Sequence, residues 1–114
     1  MADLSKDAQD NKIMGVLAYL GILFLVPLLA AKDSPFAKYH ANQGVILFIY
    51  AIAVFIVGMI LSVLLGTIGL GTIGWLLSLL LNLSVLVFVI IGIINALNGE
   101  KKPLPLIGNF EIIK

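Results

Sequence analysis

Three long apolar stretches constrain this chain more than any other feature, and none carries a charge in its central part. The first covers residues 13–31, about 19 residues against the roughly 20 that a bilayer core requires. The second is predicted from residue 35 to about 65 and the third from residue 75 to about 97. Charged residues make up only 11% of the chain, against about 25% in soluble domains. The sequence therefore predicts an all-α integral membrane protein with three transmembrane helices.

The second helix is predicted to begin before it enters the membrane. Asp33 or Ser34 can act as its N-cap, and Pro35 suits the first helical position, where its missing N–H is not needed. A helix from residue 35 to about 65 would be about 46 Å long, well beyond a hydrocarbon core of roughly 30 Å. We therefore expect a long second helix that starts at the interface, with its first two turns in the headgroup layer.

Small and polar residues recur at helical spacing in all three predicted spans. Such rows let another helix backbone approach closely. The candidate helix-packing residues are Gly15, Ala18, Gly21, Gly58, Ser62, Gly66, Ser78 and Asn82. Asn82 lies near mid-membrane, where its amide needs a partner, so we expect it to bond to another helix, with a substrate contact as the alternative. Pro27 is expected to bend the last turns of the first span.

The glycine-rich stretch from Gly66 to Gly74 is predicted to be a compact hairpin between the second and third spans. It contains G-x-G-x-x-G, the pattern of a dinucleotide-binding loop. That signal needs a preceding strand and an acidic residue about twenty positions further on. Here membrane helices flank the stretch and no acidic residue follows before Glu100, so a nucleotide site is not predicted.

Two polar or interfacial ends flank a membrane domain of residues 13–99. Residues 1–12 are polar and mixed in sign, which predicts a solvated terminus or, alternatively, a short surface helix. Residues 100–114 form an apolar tail that is too short to span, so it is expected to lie along the interface or to dock on the helices.

The lysines predict an orientation. Three spans would put Lys6 and Lys12 on one side of the membrane and the other five lysines on the opposite side. Because cytoplasmic loops carry an excess of Lys and Arg, we predict a multi-pass protein of the cell membrane with its N-terminus outside and its C-terminus cytoplasmic.

The polar segment Lys32–Gly44 holds the chain's single histidine. The candidates for interfacial recognition are Asp33, Lys38, Tyr39, His40, Asn42 and Gln43. The alternative is that His40, Asn42 and Gln43 satisfy backbone groups and lipid headgroups at the entry to the membrane. A lone histidine with one nearby aspartate is too sparse for a nucleophilic triad or a metal site, so no catalytic, metal-binding or cofactor-binding residue is predicted.

Charge and cysteine content narrow the classes of partner. The chain has seven lysines, no arginine and a net charge of +1, so bidentate phosphate clamps and a basic stripe for nucleic acid are absent. It has no cysteine, which excludes disulfides and thiolate chemistry. The expected partners are the lipid bilayer and either further copies of the chain or a larger membrane protein.

Three sequence segments carry a family resemblance: A-Y-L-G-I-L-F-L-V-P-L-L-A, D-S-P-F-A-K-Y-H-A-N-Q-G-V-I-L-F and the closing P-L-I-G-N-F. Together they resemble small bacterial membrane proteins that carry a domain of unknown function and are related to the twenty-kilodalton subunit of the chloroplast inner-envelope import translocon. The resemblance covers nearly the whole chain from Lys12 to Lys114, and its most specific part is His40–Gly44. It implies a helical membrane protein within a protein-conducting or multi-subunit complex, and it carries over no catalytic residue.

Three functions remain open at this point. The first is a non-enzymatic interaction or assembly subunit of a membrane complex, because smooth helix faces suit assembly. The alternative is an oligomeric channel or protein-translocation component. Its shared path would be lined by polar side chains that do not bond to one another, namely Ser62, Ser78, Asn82 and Ser84. The third is an interfacial enzyme that uses the polar residues of Lys32–Gly44.

Overall fold

The computed structural model describes the backbone of residues 2–113 and the side chains of residues 6–113. Helices and their connections account for these residues, and no strand occurs among them. The elements are α1 (Ala2–Asp10), α2 (Lys12–Leu17), a 3-10 helix (Gly21–Phe24), α3 (Leu25–Ala30), α4 (Pro35–Thr67) and α5 (Gly71–Leu97). The polar N-terminal tail thus forms a helix, the second of the two alternatives for this segment, although the side chains of residues 1–5 lie outside the described part.

The two long helices confirm the second and third helices predicted from the sequence. α4 runs for 33 residues from Pro35, or about 50 Å at about 1.5 Å per residue. Ser34 caps it as predicted, because its Oγ accepts a hydrogen bond from the Ala37 N–H at 3.0 Å. α5 runs for 27 residues and begins at Gly71 rather than Trp75. Both helices are long and apolar enough to cross a membrane.

The first apolar stretch is not one helix, so the prediction of a continuous helix over residues 13–31 is wrong. α2 ends at Leu17, and the chain resumes as the 3-10 helix at Gly21. Gly21 has a φ of 63°, a left-handed conformation that glycine adopts without steric cost. Leu20 is 40% exposed, but the break begins under protein cover, since Ala18 and Tyr19 are 0% and 1% exposed. Such cover is what an irregular backbone requires at membrane depth.

Pro27 lies near the start of a helical turn, and the bend predicted there stays a prediction. It is the third residue of α3, in the first turn, where an N–H has no intrahelical partner to lose. Its carbonyl accepts from the Ala31 N–H at 3.1 Å. The helix is interrupted at residues 18–20, where Leu20 has φ −105° and ψ 68°.

The chain divides into two compact units, of which the first joins Met1–Phe48 to Phe88–Lys114. Its core contains the broken first stretch, the start of α4, the end of α5 and the C-terminal tail. The buried apolar residues of this unit are Ala8, Ala18, Tyr19, Phe36, Ala37, Ala41, Ile46, Leu47, Phe88, Ala96 and Leu104.

Within this unit the first stretch turns back toward its starting point. Gly15 lies against the Phe36 ring, where a Cβ would come within 2.9 Å of Cε1. Further along, the Ala18 carbonyl contacts Gly44 so closely that a Cβ there would overlap it. At the end of the stretch, the Ser34 N–H donates to the Ala31 carbonyl at 3.1 Å. The stretch therefore begins and ends beside the first turn of α4.

The second unit, Ile49–Val87, is a helical hairpin made from the later part of α4 and the earlier part of α5. Its turn covers only residues 68–70, shorter than the predicted Gly66–Gly74, and Gly69 takes a φ of 81° there. Close packing occurs at Gly74, where a Cβ would lie 3.3 Å from the Leu61 carbonyl oxygen. Most large apolar side chains of this unit face outward, including Phe55 at 63% exposure, as lipid-facing residues do.

Candidate functional site

His40 lies at the centre of the first unit, fully buried. Its Nε2 is 2.8 Å from the Glu100 carbonyl oxygen, and because a carbonyl can only accept, Nε2 carries the proton and donates. In the neutral ring Nδ1 is then an acceptor, so the Tyr19 hydroxyl donates to it at 2.5 Å. Phe36 and Tyr39 meet the imidazole edge-on, with centroids at 4.6 and 5.4 Å.

Asn42 and Gln43 bind the backbone of the C-terminal tail. The Asn42 amide donates to the Phe110 carbonyl at 2.8 Å and accepts from the N–H groups of Ile112 and Ile113 at 2.7 and 2.9 Å.

The Gln43 amide repeats this pattern one residue later in α4. It donates to the Gly108 carbonyl at 2.8 Å and accepts from the Leu104 N–H at 2.9 Å. We call Asn42, Gln43 and these tail contacts the tail clamp. An amide carries both donors and an acceptor, so it can satisfy an irregular backbone that has no helix or strand of its own.

Asp7 of α1 closes the other side of the α4 start. Its carboxylate accepts from the Ser34 hydroxyl at 2.6 Å and from the Phe36 N–H at 2.9 Å. A carboxylate at a helix N-terminus satisfies orphan N–H groups and meets the positive end of the helix dipole. The N-terminal helix is thereby fixed to the beginning of α4.

The structure divides the six recognition candidates into two groups. His40, Asn42 and Gln43 are buried and bonded within the chain, as the alternative interpretation expected for backbone groups. Asp33 is exposed, and Lys38 and Tyr39 are half-buried. Lys101 Nζ lies 5.6 Å from the Tyr39 ring centroid, within cation–π range. Recognition by the exposed group stays a prediction.

A cavity of about 500 Å³ opens beside the tail clamp. It joins the start of α4 to the tail, and its predicted site residues are Lys38, Tyr39, Asn42 and Gln43. Within the described residues there is no group of three His, Asp or Glu side chains that would hold a metal ion. The chemistry available here is hydrogen bonding to backbone and, at Lys38, attraction of an anion.

The candidate packing residues also divide. A Cβ at Gly15 would meet Ala96 as well as Phe36, and Ala18 is fully buried. Gly58 packs against Ser78, whose hydroxyl donates to the Gly58 carbonyl at 3.2 Å. By contrast, Gly21 and Gly66 have open space where a Cβ would stand.

Two further packing candidates, Ser62 and Asn82, differ in their contacts. Ser62 Oγ is 3.4 Å from Ser78 Oγ on the neighbouring helix. Asn82 does not bond to another helix, contrary to the expectation, because its Nδ2 donates to the Ser78 carbonyl of its own helix at 2.8 Å. The Asn82 side chain is exposed.

Sequence reasoning missed Asp7, Tyr19 and Gly92 as parts of the site. Gly92 lies under the Tyr19 ring so closely that a Cβ would overlap it. One signal was available: His40, Asn42 and Gln43 cannot all be satisfied inside an apolar helix, while a tail with two prolines has backbone groups free to pair. That signal predicts a contact between the two segments, but it does not identify Asp7 or Tyr19.

Comparisons with known proteins identify the relatives. Residues 10–111 match the magnetosome magnetite crystal formation protein family, MamF and MmsF. A UPF0132 membrane protein of Methanocaldococcus jannaschii is 39% identical over 106 residues, covering 88% of this chain and 84% of its own length. A second such protein from the same organism is 32% identical over 102 residues, and the chain spans 66% of its length. Magnetosome protein MmsF of Paramagnetospirillum magneticum is 27% identical over 83% of this chain and 79% of its own length.

These matches correct the resemblance drawn from the sequence segments. The match over residues 10–111 points to the magnetosome family, so the assignment to relatives of the chloroplast import translocon is wrong. No solved structure matches the chain. The relatives are membrane proteins by name and α4 and α5 are long enough to cross a bilayer, so this is a membrane protein.

Proposed function

Since the chain belongs to the magnetosome magnetite crystal formation protein family, we propose that it is a non-enzymatic assembly subunit of a membrane complex, and that it associates with further copies of itself. The observation that carries the proposal is an open groove of about 330 Å³ on the second unit. We call it the Asn82 groove, and its lining residues are Phe55, Gly58, Met59, Ser62, Val63, Ser78 and Asn82. Small residues at its floor and apolar side chains at its edges suit a close helix contact.

Asn82 supplies the polar part of this contact. Among the described residues its amide makes one hydrogen bond, from Nδ2, and no donor reaches its Oδ1. An exposed amide within a membrane helix is costly until a partner satisfies it. A second copy related by a two-fold axis brings an identical amide, and two such amides can exchange N–H···O bonds because the interface is self-complementary.

The non-enzymatic role is supported by the commitment of the interfacial polar residues. His40, Asn42 and Gln43 hold the fold together through Glu100 and the tail, so their polar atoms are engaged by the chain's own backbone. The channel alternative required Ser62, Ser78, Asn82 and Ser84 to line a path rather than satisfy each other. Ser84 donates to the Leu81 carbonyl at 2.5 Å and pairs with the Tyr50 hydroxyl at 2.6 Å, and the other three form the contacts given above. Assembly is therefore the function that we propose.

The relatives fit this reading. The family is described by magnetite crystal formation and includes magnetosome proteins, while the Methanocaldococcus jannaschii relatives are named only as membrane proteins. Self-association within a bilayer is a role that all of these proteins can share. We propose it for this chain as the part of the family's function that its own residues support.

The same proposal includes a multi-pass topology in the cell membrane, with α4 and α5 crossing and both termini cytoplasmic. It replaces the orientation with an external N-terminus. Two contacts support termini on one side of the membrane. Asp7 accepts a hydrogen bond from Ser34, and a Cβ on Gly99 would lie 3.3 Å from the Ala8 Cβ. All seven lysines then lie with the termini and none in the turn at residues 68–70, which agrees with the excess of positive charge on cytoplasmic segments.

Replacing Asn82 tests the assembly proposal. Asn82→Leu should weaken self-association about thirtyfold, because two symmetric amide bonds at about 1 kcal/mol each are lost. Leu80→Ala, on the opposite side of α5 and 63% exposed, is the matched control and should change the dissociation constant little. Energy transfer between labelled copies diluted in lipid vesicles measures both. Equal self-association of wild-type and Asn82→Leu proteins would contradict the proposal.

A further inference from the structure

A second cavity in the first unit combines an apolar lining with two lysines. It has a volume of about 350 Å³ and lies between α3, the start of α4 and the end of the tail. The apolar part is formed by Pro27, Leu28, Leu29 and Ala31 together with Ile113, and the cationic part by Lys32 and Lys38. We name it the Lys32–Lys38 cavity.

Among the residues whose side chains the structure describes, neither lysine forms an ion pair. The salt bridge recorded among the described residues joins Lys102 to Glu100. Lys32 also borders a neighbouring cavity with Asp7 and Asp33, and among the described residues no ion pair joins it to either carboxylate. Lys38 also borders the cavity beside the tail clamp, which includes Glu111. Two lysines thus line a mostly apolar cavity.

The depth of the cavity is set by its elements. Lys32 follows α3 at the end of the first apolar stretch, and Lys38 lies in the first turns of α4. In the proposed topology both lysines therefore lie where apolar segments leave the bilayer, at the expected level of lipid phosphates, while Leu28 and Leu29 lie toward the acyl chains. Long lysine side chains near such ends extend to the headgroup layer.

We propose that the Lys32–Lys38 cavity binds an anionic phospholipid of the surrounding bilayer. Its phosphate lies between the two ammonium groups, and the upper part of one acyl chain packs against Pro27, Leu28 and Ile113. Charge complementarity selects an anionic headgroup over a zwitterionic one. The apolar lining selects a lipid over a free phosphate.

Lipid binding to the purified full chain tests the proposal. Native mass spectrometry in neutral detergent, with phosphatidylglycerol or phosphatidylcholine added, should give tighter binding of phosphatidylglycerol. Lys32→Gln with Lys38→Gln should weaken that binding about thirtyfold, roughly fivefold for each cationic side chain at an anionic lipid surface. Lys32→Arg with Lys38→Arg keeps both charges and should retain binding.

The matched control is Lys6→Gln with Lys12→Gln, which changes the net charge equally outside the cavity. Its phosphatidylglycerol affinity should stay within about twofold of the wild type. Equal losses in the cavity and control variants, or no loss in either, would overturn the proposal. So would thermal protection by millimolar inorganic phosphate equal to that by phosphatidylglycerol, since it would indicate a free-phosphate site. Because the Asn82 groove lies in the other unit, failure of self-association does not change these outcomes.

Discussion

Asn42 and Gln43 show how single side chains give the tail a structure that its own sequence does not. The tail contains Pro103 and Pro105, which lack a backbone donor and disfavour a helix. Two neighbouring amides of α4 take the place of secondary structure by pairing with five tail backbone groups. The same hydrogen bonds therefore satisfy two buried amides in an apolar helix and the backbone groups of the tail.

Removal of one amide tests the tail clamp. Gln43→Leu keeps the side-chain volume but leaves the Leu104 N–H and the Gly108 carbonyl without partners. Because each buried unpaired group costs about 1–3 kcal/mol, we expect a loss of about 2–5 kcal/mol of stability and faster hydrogen exchange over residues 104–113. Asn109→Leu removes an exposed amide of the same tail and should leave exchange unchanged. Slow exchange in Gln43→Leu would show that the tail is held by other contacts.

Residue-level prediction from sequence worked where a local rule applied and failed where a partner was distant. The sequence limits the cap of α4 to Asp33 or Ser34, because capping depends on the next three residues, and Ser34 is the one that caps. The polar character of His40 was recognised too, but its partners Tyr19 and Glu100 are 21 and 60 positions away. No spacing rule connects such positions, so the buried network was found only in the folded chain.

At the scale of elements, α4 and α5 were predictable because length, apolar composition and caps agree. The first apolar stretch has the same composition but a different structure. Hydropathy measures the lipid compatibility of side chains, and a broken segment covered by protein passes that test as well as a spanning helix does. The close approach of Ala18 to Gly44 and of Tyr19 to Gly92 provides the cover, and neither contact is visible in the sequence.

Two glycines of α4 give a matched test of this packing. Gly44→Ala should destabilise the protein by about 3 kcal/mol, because the new methyl group overlaps the Ala18 backbone carbonyl and no rotamer relieves it. Gly66→Ala meets open space and should be neutral or stabilising by up to about 1 kcal/mol, the helix-propensity difference. Thermal unfolding followed by circular dichroism in detergent measures both. Equal stability of the two variants would mean that the first stretch does not pack on α4 at Gly44.

At the scale of the whole molecule, the broken first stretch is what separates the proposed topology from one with three spans. In the proposed topology this stretch, which begins and ends beside the first turn of α4, stays on one side of the bilayer, and α4 and α5, which are each long enough, cross it. An odd number of crossings separates the termini, and an even number keeps them together. With three spans, two lysines lie on one side of the membrane and five on the other. With two spans, all seven lie on the same side.

Single cysteines test this topology cleanly, because the chain has none of its own. Gln9→Cys and Asn109→Cys probe the two ends, and Ile68→Cys probes the turn between α4 and α5; all three positions are exposed. With α4 and α5 crossing, a membrane-impermeant maleimide should label Ile68→Cys in intact cells. It should label Gln9→Cys and Asn109→Cys only after permeabilisation, because the positive-inside rule puts their lysine-rich side in the cytoplasm. Labelling of Gln9→Cys but not Asn109→Cys in intact cells would instead require a third crossing within residues 13–31, and the proposed topology with two crossings would be refuted.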